Sequence, residues 1–71
     1  METIGSILKA RRIEKGINIK TLSTLTGISV VMISKYENSK YLPSAKMLGK
    51  LCNVLELDYD ALYEKLMSEK E

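Results

Sequence analysis

The sequence contains no histidine, no tryptophan and no phenylalanine, and it has a single cysteine and a single proline. Without His, the residue most used as general base and metal ligand is missing. Cys52 has no second cysteine with which to close a disulfide, and no Cys or His cluster is available to hold a metal. No carboxylate pair, nucleophile with a base, or phosphate-cradling glycine loop is evident, so the chain reads as a non-enzyme that takes no cofactor and no small-molecule substrate. No apolar run approaches the roughly 20 residues of a membrane span. Met1-Glu2-Thr3 lacks the basic start and apolar stretch of a signal peptide. These absences point to a soluble cytoplasmic protein with no membrane partner.

What is present is a short chain with an uneven charge. Its 71 residues suit one domain spanning 1–71, and 45% of them are hydrophobic, enough for one small core. The net charge of +2 hides a division. Residues 1–50 carry nine bases against three acids, a net +6, whereas residues 51–71 carry two bases against six acids, a net −4. A basic body followed by an acidic end suggests a polyanionic partner, although ordinary solvated surface produces the same imbalance.

Turn signals divide the chain into five helical patterns, roughly 4–15, 19–26, 30–38, 44–55 and 58–67, so the expected fold class is a compact all-α five-helix domain. Ile4, Ile7 and Leu8 begin the first, and Gly16 ends it. Asn18 caps the second, whose Leu22 and Leu25 are expected to face inward. Gly27 occupies the following turn, where positive φ is expected. Ser29 caps the third, with Ile33 and Tyr36 on one face. Pro43 and Ser44 start the fourth, whose inner face is Met47, Leu48, Leu51 and Leu55; Cys52 reads as core. Asp58 caps the fifth, with acidic Asp60 in its first turn. The run from Ile28 to Ile33 is rich in β-branched residues and in isolation is compatible with a strand, but its preceding cap and the helical repeat Val30–Ile33 or Met32–Tyr36 favour helix.

A short helical hairpin with glycine in the turn is common to many bundles. Here it lies within a longer pattern. Ile4-Gly5, Leu8, Arg11 and Arg12 are followed by Gly16-Ile17-Asn18, Leu22 and Gly27-Ile28-Ser29. Then come Ile33-Ser34-Lys35-Tyr36-Glu37-Asn38, Pro43-Ser44, the stretch from Leu48 to Leu55, and that from Leu57 to Leu62. In order and spacing these residues, covering Ile4 to Leu62, resemble the lambda-repressor and Cro-like (XRE-type) helix-turn-helix family of bacterial and phage regulators. Three positions depart from it. Ile19 stands where the family often has a phosphate-reaching Gln, Ser23 replaces a small Ala, and Ser39 replaces a Gly, so that Asn38 is expected to supply the left-handed cap.

The resemblance implies that residues 30–38 form a recognition helix entering the major groove of double-stranded DNA. It makes Val30, Val31, Ser34 and Lys35 the base-reading residues. Valines pack on the C5-methyl of thymine, and a lysine donates to guanine O6 or N7. The competing reading for Val30 and Val31 is core packing, against which Ile28 and Ile33 already supply an inward face. Asn18, Asn38, Lys40 and Tyr41 are candidate phosphate contacts, with Lys9, Arg11 and Lys46 weaker ones. Arg12 and Glu37 are expected to form a structural ion pair tying the first helix to the third, with Arg12 also leaning on a phosphate. In the last helix Tyr63, Leu66 and Met67 are candidates for the seam of a homodimer; the alternative folds that stripe onto the protomer's own core.

The function implied is a sequence-specific transcriptional regulator, a repressor, controlled by its abundance, by a regulatory protein partner or by proteolysis. An alternative is an antitoxin or restriction-modification controller acting on its own promoter. From another class comes a helical protein-interaction module that does not touch DNA.

Overall fold

The structure, a computed structural model, describes residues 2–70. Five helices follow one another: α1 (Ile4–Glu14), α2 (Ile19–Thr26), α3 (Val30–Glu37), α4 (Ala45–Leu55) and α5 (Tyr59–Glu69). No strand occurs among the described residues, and no helix is long and apolar enough to cross a membrane.

Each start is set by a polar side chain that accepts an otherwise orphaned backbone N–H. Thr3 and Ser6 form a capping box on α1. Asn18 Oδ1 accepts from Thr21 N–H at 2.7 Å, Ser29 Oγ from Met32 N–H at 3.2 Å, and Ser44 Oγ from Met47 N–H at 3.2 Å. Asp58 Oδ1 accepts from the N–H groups of Asp60 and Ala61. Ser44 and Asp58 are themselves extended, so α4 and α5 begin one residue later than the sequence pattern suggests.

The helix ends bring the first correction. Gly16 and Gly27 take φ of +72° and +76°, as their positions require. After α3, however, the left-handed residue is Ser39, at φ +60°, and not Asn38, at φ −93°. Asn38 still donates its N–H to Ser34 O, which demands a near-helical backbone. The reversal falls one residue later, where Ser39 N–H reaches Tyr36 O and Lys40 N–H reaches Lys35 O, the paired bonds of a Schellman ending.

The core comprises Ile4 and Leu8 from α1, Leu22 from α2, Ile28, Ile33 and Tyr36 around α3, Leu48, Leu51, Cys52 and Leu55 from α4, and Leu62 and Leu66 from α5. α1 packs on α3, α4 and α5, and α2 packs on α3 and α4. Two sequence expectations are overturned here. Leu25 does not face inward: it is 58% exposed, and Thr26 is buried in its place. Both lie one turn beyond Leu22 on either edge of its stripe, and the turn into α3 selects Thr26 because its hydroxyl satisfies buried backbone. Leu66 leaves the proposed seam, because at 0% exposure it is core of its own protomer. It lies four residues after Leu62 on the row facing the other helices. Met47 is only half-buried at the edge of the core.

The end of α1 is tied to the turn after α4. Arg11 Nη2 donates to Glu56 O at 3.3 Å, and the Glu56 carboxylate pairs with Lys15 Nζ. The hydrogen bond from Lys15, and then its charge, hold the Glu56 carboxyl below its ordinary range. That contribution to stability is present in full above the unfolded carboxylate range and is lost as the pH falls from there through the lowered folded value.

Burial, and secondarily the charge of Asp58, push the Cys52 thiol upward. Since thiolate is the reactive form, native protein at neutral pH is expected to react with a disulfide reagent far more slowly than protein unfolded in urea. Equal rates in the two states would place Cys52 outside the core.

Candidate nucleic-acid interface

The hairpin of α2 and α3 is held by a hydroxyl. Thr26 Oγ1 donates to Leu22 O at 2.7 Å and accepts from Ile28 N–H at 3.2 Å. It thereby closes the end of α2 and fixes the chain where it enters α3, with Ile28 as a buried anchor beside it. The sequence pattern did not single out Thr26. The signal available was a β-branched polar residue one turn after Leu22, masked by the more apolar Leu25.

α3 is oriented a second time from its far end. Arg12 Nε donates to Glu37 Oε2 at 2.8 Å and Nη2 to Oε1 at 3.1 Å, a planar two-point contact. Its Nη1 donates to Ile17 O at 3.0 Å. The side chains are 11% and 3% exposed respectively. The hydrogen bonding to Glu37 raises the Arg12 pKa, more than burial lowers it. Three of the five guanidinium N–H donors are thus engaged inside the protein, so Arg12 serves the scaffold, while one N–H on each of Nη1 and Nη2 makes no bond among the described residues.

Held this way, α3 turns Ile33, Tyr36 and Glu37 inward and leaves Val30, Val31, Ser34, Lys35 and Asn38 along its outer side, the two valines 44% and 61% exposed. Residues at i, i+1, i+4, i+5 and i+8 share one helix face. The strip is apolar at its start and polar further on. Ser34 Oγ accepts from Asn38 Nδ2 at 3.3 Å, and Lys35 Nζ lies 4.9 Å from the centroid of the Tyr41 ring.

Of the remaining expected contacts, Asn18 is exposed, with its Oδ1 spent on the α2 cap and its amide N–H groups unbonded among the described residues. Lys40 and Tyr41 are exposed beyond the end of α3. Lys20, exposed near the start of α2, extends this polar rim; a lone lysine on a short helix carries no sequence pattern that would mark it. Among the described residues no group of three or more Cys, Asp or Glu is placed to hold a metal.

Residues 8–62 match a family model described as Helix-turn-helix. The chain belongs to this family, in its lambda-repressor and Cro-like form. As a helix-turn-helix protein it is 35% identical over 66 residues to the HTH-type transcriptional repressor RghR of Bacillus subtilis (strain 168), an alignment covering 92% of this chain and 49% of that protein. It is 32% identical over 59 residues to the ImmF control region 10 kDa protein of Bacillus phage phi105, covering 83% of this chain and 66% of the relative. The chain thus spans about half the length of the first of these curated relatives and about two thirds of the second. Among solved structures, the P22 c2 repressor protein in complex with synthetic operator 9T superposes with a TM-score of 0.81 at 31% identity, over 87% of this chain and 94% of that one. The agreement covers nearly the whole five-helix frame, so the α2–α3 geometry described above is that of a helix-turn-helix as well as its sequence.

Proposed function

We propose that this protein is a sequence-specific transcriptional regulator of double-stranded DNA, acting as a repressor, with α3 in the major groove and α2 across the backbone. The observation that carries the reading is the outer strip of α3. Val30 and Val31 are exposed although nothing in solution favours two bare valines, and they begin a helix whose orientation is fixed at both ends. The likeness to a repressor solved on its operator supports the same reading. The protein acts by binding, not by catalysis, in the cytoplasm.

In this reading Val30 and Val31 pack on thymine methyl groups and Lys35 donates to a guanine. Asn18, Asn38, Lys40 and Tyr41 meet phosphates and set the register. A homodimer would present two copies of α3 to half-sites about one helical turn apart. Its seam would be the outer side of α5, where Tyr63 is 38% exposed, its ring stands 5.8 Å from that of Tyr59, and Met67 is half-buried.

The test is selection from random oligonucleotides followed by binding titrations at several salt concentrations. We expect a two-fold-related site bound at least ~10³-fold more tightly than random DNA. Lys40→Ala is expected to weaken all sequences alike and to lower the salt slope by about 1. Replacing the contacted thymines by deoxyuridine should cost about fourfold per methyl, near the ~0.8 kcal/mol of one buried methylene. Absence of salt-sensitive binding to any duplex would leave the protein-interaction module as the better reading.

A further inference from the structure

Lys35 is the cation of the α3 strip, and the structure gives it one neighbour. Glu37, the only acid on α3, is committed to Arg12. No carboxylate lies within ion-pair distance of Lys35 among the described residues, but its ammonium sits 4.9 Å from the centroid of the Tyr41 ring. Tyr41 is 53% exposed, so core packing does not account for the position of its ring.

What places it is backbone. Ser39 turns through a left-handed φ of +60°, after which the N–H groups of Lys40 and Tyr41 both point back at Lys35 O, at 2.9 and 3.4 Å. Pro43, fully buried, anchors the chain on the other side. The loop is therefore folded onto the very residue whose side chain its aromatic ring receives. A free lysine samples many rotamers and loses that freedom on binding. A ring beneath the ammonium removes part of that freedom beforehand, and the attraction strengthens where water is excluded, as it would be against a covering duplex.

We propose that Tyr41 is a positioning residue for Lys35: its ring holds the lysine ammonium at the polar end of the α3 strip in the place from which it donates to a base. This inference rests on the DNA-binding reading above. It gives Tyr41 a task separate from a phosphate contact, which would be made by the hydroxyl and would be indifferent to sequence. The two tasks use different parts of the side chain, the π-face and the oxygen.

The test is a double-mutant cycle on the intact chain, measured on the selected operator and on the same operator changed at the base pair that Lys35→Met identifies. Measured against Tyr41→Phe, which lacks the same hydroxyl, Tyr41→Leu is expected to lower operator affinity about fivefold and affinity for the changed site hardly at all, so that discrimination between them falls. In the Lys35→Met background the Leu and Phe variants should bind alike. Tyr41→Phe, which keeps the ring, is expected to restore the discrimination lost in Tyr41→Leu. In the free protein the ring-current shift of the Lys35 methylene protons should persist in Tyr41→Phe and vanish in Tyr41→Leu. Additive losses, or a Phe variant that weakens every sequence as much as Leu does, would overturn the positioning role while leaving DNA binding intact. A wild-type protein with no salt-dependent binding to any duplex would overturn both readings, and is told apart by that first titration.

Discussion

Glu37→Gln is expected to destabilise the protein by about 3–5 kcal/mol, because it leaves a buried cation without its countercharge. The amide keeps the shape of the side chain and one acceptor, so the loss does not come from packing. Arg12 would retain Ile17 O and a single neutral partner in place of the fork at 2.8 and 3.1 Å. The loss is large against the roughly 5–15 kcal/mol that holds a typical domain together. For a chain of this size each kcal/mol moves the midpoint by about 4–8 °C, so thermal unfolding followed by circular dichroism should show a fall on the order of 20 °C. Arg12→Met is expected to cost a similar amount, since Glu37, 3% exposed, would then be the stranded charge. Replacing both partners with apolar residues should recover much of the loss. A change below about 1 kcal/mol for Glu37→Gln would match a solvated surface pair and rule out a buried one.

Gly5→Ala is the second large effect. On intrinsic propensity alone the change would favour a helix by about 1 kcal/mol. The tertiary structure reverses the sign. A Cβ on residue 5 would stand 2.3 Å from Tyr36 O and 2.9 Å from Glu37 O, both backbone atoms of the last turn of α3, and 3.0 Å from Ser39 Oγ. Backbone cannot step aside as a flexible side chain does, so α1 must back away from α3, opening the contacts of Ile4 and Leu8. A net cost of about 2–3 kcal/mol is expected, at the upper end for overpacked sites, read as a lower urea midpoint. The shift changes the seating of α3, which carries Lys35, so DNA affinity should fall even where the variant remains folded. Gly49→Ala is the matched control. Its new Cβ would meet only the Tyr59 ring at 3.7 Å, an ordinary contact, and the helix propensity should prevail as a small gain.

Both effects bear on one junction, where α1 crosses the end of α3, and residues from the two halves of the motif were legible to different degrees. Arg12 and Glu37 were paired from the family resemblance, 25 residues apart, and the structure gives them a two-point contact. Gly5 was noted only as part of the pattern. Its close approach to α3 depends on how two helices cross, which no local spacing encodes. Leu66 was legible as apolar and helical, but whether such a residue faces a partner or its own core depends on where α5 docks. Ser39 against Asn38 was a matter of one residue in a Schellman ending, settled by which N–H still has a helical carbonyl to reach.

By itself the sequence determined the five helices, the N-caps Asn18, Ser29, Ser44 and Asp58, and the family. Those follow from short-range chemistry: a polar side chain meeting a free N–H three residues on, a glycine where φ is positive, and apolar residues repeating every turn. Only the tertiary structure decided which edge of each stripe is buried, so that Leu25 and Thr26 exchanged places and Leu66 joined the core. It also decided that Val30 and Val31 stand exposed at the start of α3, and that Lys35 rests over Tyr41. The physical reason is the same in each case. Periodicity specifies a face to within one residue on either side, and the choice among those neighbours is made by contacts with helices far away in the chain.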